Sequence, residues 1–154
     1  MKHTSPLKPT AALLLVAALW APAGCTTPGR SGVGAPMVTI PVYRGVGRNG
    51  NGRAQLSPSQ FRFNNDLSTF GAPTNSPCNY QFDITGIPAN PAQPGDSGPV
   101  SGLPGYVATF DDVPPGHWSI ARPVGTSTTA ARQAVSVYAQ ANRGFVVAGA
   151  QACN

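Results

Sequence analysis

Cys78-Asn79-Tyr80-Gln81-Phe82-Asp83-Ile84 carries the clearest two-residue period in the chain. Alternation of this kind belongs to a half-buried strand, with Cys78, Tyr80, Phe82 and Ile84 inward and Asn79, Gln81 and Asp83 outward. Val38-Thr39-Ile40-Pro41-Val42-Tyr43 reads as an earlier strand with a β-branched bias. Pro41 cannot donate a ladder hydrogen bond and points to an edge position. Gln60-Phe61-Arg62-Phe63-Asn64 is a second candidate strand, with Phe61 and Phe63 on one face and Arg62 on the other. Strand signals return at Tyr106-Val107-Ala108-Thr109-Phe110 and at His117-Trp118-Ser119-Ile120-Ala121, joined through a turn at Pro114-Pro115-Gly116.

The segments between these runs are turn-rich. Asn49-Gly50 and Asn51-Gly52 mark a turn after the first strand. Residues 86–105, rich in Pro, Gly, Ser and Asp, read as an exposed excursion. Near the C-terminus, Thr129 to Ala141 is ambiguous, because its alanines favour a helix that Gly144 would end. The alternation of Val135, Val137 and Ala139 predicts a strand there. Asn142-Arg143-Gly144 then reads as a hairpin turn into a last strand over 145–152.

Composition agrees with an all-β reading. The 154 residues include 18 Gly and 17 Pro and only 10% charged side chains, which argues against a helical bundle and suits one small domain. The chain has no Glu, five Asp and two histidines, His3 and His117, which narrows acid/base and metal chemistry. No cofactor and no metal site are expected from it.

The N-terminus looks like an export signal. Lys2 and Lys8 precede an apolar run from Ala11 to Trp20, which is well short of the roughly 20 apolar residues that span a bilayer. Ala23-Gly24-Cys25 at its end resembles the lipobox of bacterial lipoproteins. That resemblance implies a signal peptide over 1–24, a lipid such as palmitate on Cys25 and a flexible tether over 25–36 before a domain over 37–154. It also implies a place in the cell envelope, at the outer membrane where the host has two, since Thr26 rather than Asp follows the cysteine. Pro22 stands where such signals usually carry Leu, so ordinary cleavage and secretion is the alternative.

Cleavage there would remove the only two lysines, leaving eight Arg against five Asp and a charge of +3. So small an excess gives no ground for a nucleic-acid partner. With Cys25 lipidated, Cys78 and Cys153 remain as a pair in an oxidising compartment, where a disulfide between them is expected. Arg44, Arg48, Arg53 and Arg62 gather around the Asn/Gly-rich turn, near Tyr43, Phe61 and Phe63. They are the candidate interaction surface for lipid phosphates or an acidic partner, with solvated charges that block edge pairing as the plainer alternative.

Three motifs suggest chemistry. Gly45-Val46-Gly47-Arg48-Asn49-Gly50 has the glycine spacing of a dinucleotide-binding loop, but the helix that must follow is missing, so it reads as a turn. Gly95-Asp96-Ser97-Gly98-Pro99 resembles the serine loop of chymotrypsin-like proteases, yet the sole histidine after the signal segment, His117, follows the serine rather than preceding it. His117 with Asp111 and Asp112 falls short of a closed metal site and reads as a loop of solvated charges, with a weak calcium site as the alternative.

Phe110-Asp111-Asp112-Val113-Pro114-Pro115-Gly116-His117-Trp118-Ser119-Ile120 resembles carboxypeptidase regulatory-like and collagen-adhesin B-type domains, in which a strand ends in an apolar-Pro-x-Gly turn before an aromatic and an aliphatic residue. The resemblance implies a small transthyretin-like or immunoglobulin-like β-sandwich, a structural or adhesive module without catalysis of its own. The resulting expectation is an envelope-anchored lipoprotein acting as a non-catalytic structural or protein-interaction module, bound to the membrane by its lipid and to an envelope protein. Ligand capture or inhibition of a hydrolase is the alternative, and a minimal hydrolase using Ser97 or His117 is a third.

Overall fold

The computed structural model describes residues 35–90 and 92–153. The signal segment, the lipid site Cys25 and nearly all of the tether lie outside these residues. The described chain is all-β with one helix. In order it forms β1 (Met37–Val46), a 3-10 turn (Pro58–Gln60), β2 (Leu67–Phe70), β3 (Cys78–Pro88), β4 (Ser97–Pro99), β5 (Val107–Phe110) and β6 (His117–Ala121). Helix α1 (Thr128–Ala141), a second 3-10 turn (Arg143–Phe145) and β7 (Val146–Ala148) complete it.

The strands form one seven-stranded sheet in the order β4-β5-β6-β2-β1-β3-β7, with antiparallel pairing at each ladder. Strand β3 is long enough to serve two neighbours on one edge. Its first residues, Cys78 to Tyr80, pair with β7. Further along, Ile84 bridges Val100 and the Ser101 amide donates to the Asp83 carbonyl at 2.8 Å, so the β4 end of the sheet returns to β3. Gly98 permits this close approach, because a Cβ there would collide with the Thr85 carbonyl oxygen and press on Ile87.

The rolled sheet encloses a core of Tyr80, Phe61, Phe63, Phe82, Leu67 and Ile84, all fully buried. Phe61 meets Tyr80 and Phe82 edge-on, with ring centroids 6.1 and 6.3 Å apart, the geometry that sets a positive ring edge on a negative face. Cys78 and Cys153 form a disulfide with Cα atoms 5.9 Å apart, tying the end of the chain to the start of β3.

The structure corrects several expectations. Thr129 to Ala141 is helix rather than strand: Ser127 caps it by accepting from the Ala130 amide, and Ala131, Val135 and Ala139 form a buried stripe four residues apart. Asn142 to Gly144 is accordingly the exit from a helix and not a hairpin turn. The segment 60–64 is not a strand, since Pro58 starts a 3-10 turn, although Phe61 and Phe63 are buried and Arg62 exposed in the expected alternation. Asn79 is buried rather than outward, because the loop before β3 folds over it: its Oδ1 accepts from the Thr74 amide and hydroxyl, and its Nδ2 donates to the Thr74 carbonyl.

Residues 86–105 are only partly an excursion, since β4 lies within them and Val100 and Leu103 are buried. Strand β1 is interior to the sheet rather than an edge. Pro41 is tolerated because β2 reaches β1 only at Tyr43 and Phe70, leaving that side of β1 open at the proline.

Candidate functional site

Strand β2 was not evident from the pattern, yet it organises a hydrogen-bonded cluster of hydroxyl, imidazole and carboxylate side chains. In its four residues, Leu67 and Thr69 are buried inward, so Ser68 and Phe70 take the outer face. Pairing with β6 sets Ser68 opposite Ser119 and Phe70 opposite His117, and both β6 partners also face outward. The diagonal from Ser68 to His117 is within reach of a long side chain.

The hairpin between β5 and β6 supplies the third group. Both the Asp111 and Asp112 amides donate to the His117 carbonyl, at 3.3 and 3.2 Å. Gly116, at φ +78°, provides the left-handed turn residue expected there, and its amide donates to Asp112 Oδ1 at 2.6 Å. Asp111 and His117 are thus held on opposite arms of one tight hairpin, which is why the pair forms instead of dispersing as solvated charges.

The resulting relay is short at each step. His117 Nδ1 lies 2.6 Å from Asp111 Oδ1, and His117 Nε2 lies 2.7 Å from the Ser68 hydroxyl. The Ser119 hydroxyl donates to the other carboxylate oxygen, Oδ2, at 2.7 Å. Desolvation opposes the charged carboxylate, but the hydrogen bonds from Ser119, His117 and the Val113 amide, with the attraction of a protonated His117, outweigh it and hold the Asp111 pKa below its ordinary value. An ionised carboxylate only accepts, so Nδ1 is the donor. In the neutral ring Nε2 then accepts the Ser68 proton. His117 is 12% exposed and Asp111 38%.

Phe70 completes the surroundings. Its ring stands edge-on to the imidazole at 5.3 Å and forms one wall of a mainly apolar groove of about 480 Å³, bounded by Ala72, Pro73 and Thr74 on one side and Pro115 and Gly116 on the other. Behind Ser68, the Arg44 guanidinium donates to the Ser68 carbonyl at 3.0 Å and the Gln60 carbonyl at 3.2 Å, fixing the main chain that carries the hydroxyl. No known family, curated protein or solved structure matches the chain.

The other candidates from the sequence lie apart from this cluster. Ser97 is exposed at the start of β4, opposite Thr109, while both His117 ring nitrogens are engaged by Ser68 and Asp111. The Gly45 to Gly50 segment runs from β1 into a turn in which Asn49 Oδ1 accepts from the Asn51 and Arg53 amides.

The four arginines take different roles. Arg44 is half-buried, and burial, together with the nearby charge of Arg62, lowers its pKa. Arg48 spans the turn to the Gly52 carbonyl and reaches Gln151, while Arg53 and Arg62 are exposed, Arg62 donating to the Ser59 carbonyl. Among the described residues, no group of three or more His, Cys, Asp or Glu side chains converges to hold a metal ion. No described helix is long and apolar enough to cross a membrane.

Ser68 was the missed residue. The available signal was Asn64-Asn65-Asp66, a turn-forming cluster, followed by the short alternation Leu67-Ser68-Thr69-Phe70. Four residues give too little alternation to be distinguished from a loop, and nothing in the linear order brings Ser68 toward His117.

Proposed function

We propose that this chain is an envelope lipoprotein, exported by its N-terminal signal and anchored through Cys25, that acts as an interaction module on its membrane. The lipobox-like Ala23-Gly24-Cys25 supports the anchor. The Pro-Gly turn shared with carboxypeptidase regulatory-like domains supports the modular reading. The observation that carries the proposal is the apolar groove between the loop after β2 and the β5–β6 turn, beside the half-buried His117. It gives the outer face of a small, disulfide-tied domain a place to receive an apolar side chain from an envelope protein.

The same groove favours a second reading, capture of a small apolar ligand. Cross-linking of the full chain in cells, with mass spectrometry of what copurifies, separates the two when a Cys25→Ser variant is run beside it. A protein partner in near-equal amount, lost with the anchor, supports the interaction module. A small ligand without a protein partner supports capture.

A further inference from the structure

We propose that Ser68 is a nucleophile that takes the acyl group of carboxylic esters, with His117 as its general base and Asp111 as the residue that positions His117. The inference goes beyond the interaction reading and is independent of the anchor, because it rests on the Ser68–His117–Asp111 geometry alone. A serine hydroxyl is a weak nucleophile until a base takes its proton. Here the base is already in contact, 2.7 Å from the hydroxyl, and its far nitrogen is held at 2.6 Å by an ionised carboxylate. Asp111 is itself fixed by Ser119 at 2.7 Å, so the imidazole is oriented from behind by a group that does not need to move.

The step balances without an added reagent. Ser68 Oγ attacks the ester carbonyl carbon as its proton passes to His117 Nε2. The carbon–alkoxy bond then breaks, and the departing alcohol takes that proton, leaving an ester on Ser68. Water attacks the acyl carbon, gives a proton to His117 Nε2, and the proton returns to Ser68 Oγ as the acid leaves. Phe70 and Pro115 would receive an apolar acyl or alcohol portion, since both line the groove and the Phe70 ring packs against the imidazole.

The test is labelling of the full chain with a fluorophosphonate, in which a nucleophilic oxygen displaces fluoride from phosphorus, followed by peptide mass spectrometry. The expected result is one adduct on Ser68, absent in Ser68→Ala and slowed at least about a hundredfold in both His117→Ala and His117→Gln, roughly the smallest effect expected from loss of a general base. Circular dichroism confirms that each variant is folded. Two outcomes overturn the proposal: no adduct on Ser68 in the folded wild-type chain, or labelling of Ser68 at the same rate as Ser119, whose hydroxyl is hydrogen-bonded to Asp111 while the ring nitrogens are taken by Ser68 and Asp111.

Discussion

His117 Nδ1 and Asp111 Oδ1 lie 2.6 Å apart across the two arms of the β5–β6 hairpin. The contact ties the end of one strand to the start of the next and orients the imidazole toward Ser68. Because the folded protein depresses the Asp111 pKa, the contact contributes stability above the ordinary aspartate value of 3.8, and that contribution is lost as pH falls through the lower folded value. Asp111→Asn should therefore lower stability at neutral pH by no more than about 1 kcal/mol, since the carboxylate is partly solvent-screened. The difference from wild type should shrink below pH 3.8 in thermal unfolding followed across pH.

The Cys78–Cys153 disulfide closes a 75-residue separation. Replacing both cysteines with alanine should cost about 4 kcal/mol if the main effect is the restored freedom of the unfolded chain. Urea unfolding measures this directly, and a loss under about 1 kcal/mol would show that the unfolded chain is already compact.

Gly98 lies where β4 returns to β3. Gly98→Ala drives a methyl group into the Thr85 carbonyl oxygen, with no flexible side chain to yield, and should destabilise the fold by about 1–3 kcal/mol or more. An unchanged unfolding midpoint would mean that this closure does not form.

Ser127→Ala removes the acceptor for the Ala130 amide at the first turn of α1 and should cost about 1 kcal/mol. The loss should appear in the midpoint of unfolding followed by far-ultraviolet circular dichroism. Its absence would place the helix start elsewhere.

The sequence made some of this visible and hid the rest for identifiable reasons. Strands β3 and β6 were legible because buried aromatic and aliphatic residues alternate with polar ones over five residues or more, and the disulfide because two cysteines remained once Cys25 was set aside. Helix α1 was misread because Val135, Val137 and Ala139 also fit a two-residue period, although Val137 proves exposed and the buried stripe falls on Ala131, Val135 and Ala139. Asn79 was misplaced because its cover comes from Thr74 in the preceding loop, a tertiary contact that alternation does not encode. The outer-face cluster was half visible. Asp111 and His117 are neighbours in sequence, but Ser68 is brought to them by the pairing of β2 with β6, a contact that depends on how the whole sheet is ordered.

The most direct test of the account is the tautomeric state of His117, read from nitrogen-15 spectra of the folded chain, with His117→Gln used to separate its signals from those of His3. Where the ring is neutral its proton is expected at Nδ1, with the imidazole donating to Asp111 and accepting from Ser68 at Nε2, and this preference should be lost in Asp111→Asn. A neutral ring protonated at Nε2 in the wild-type chain would contradict it, because the imidazole could then neither donate to Asp111 nor take the Ser68 proton.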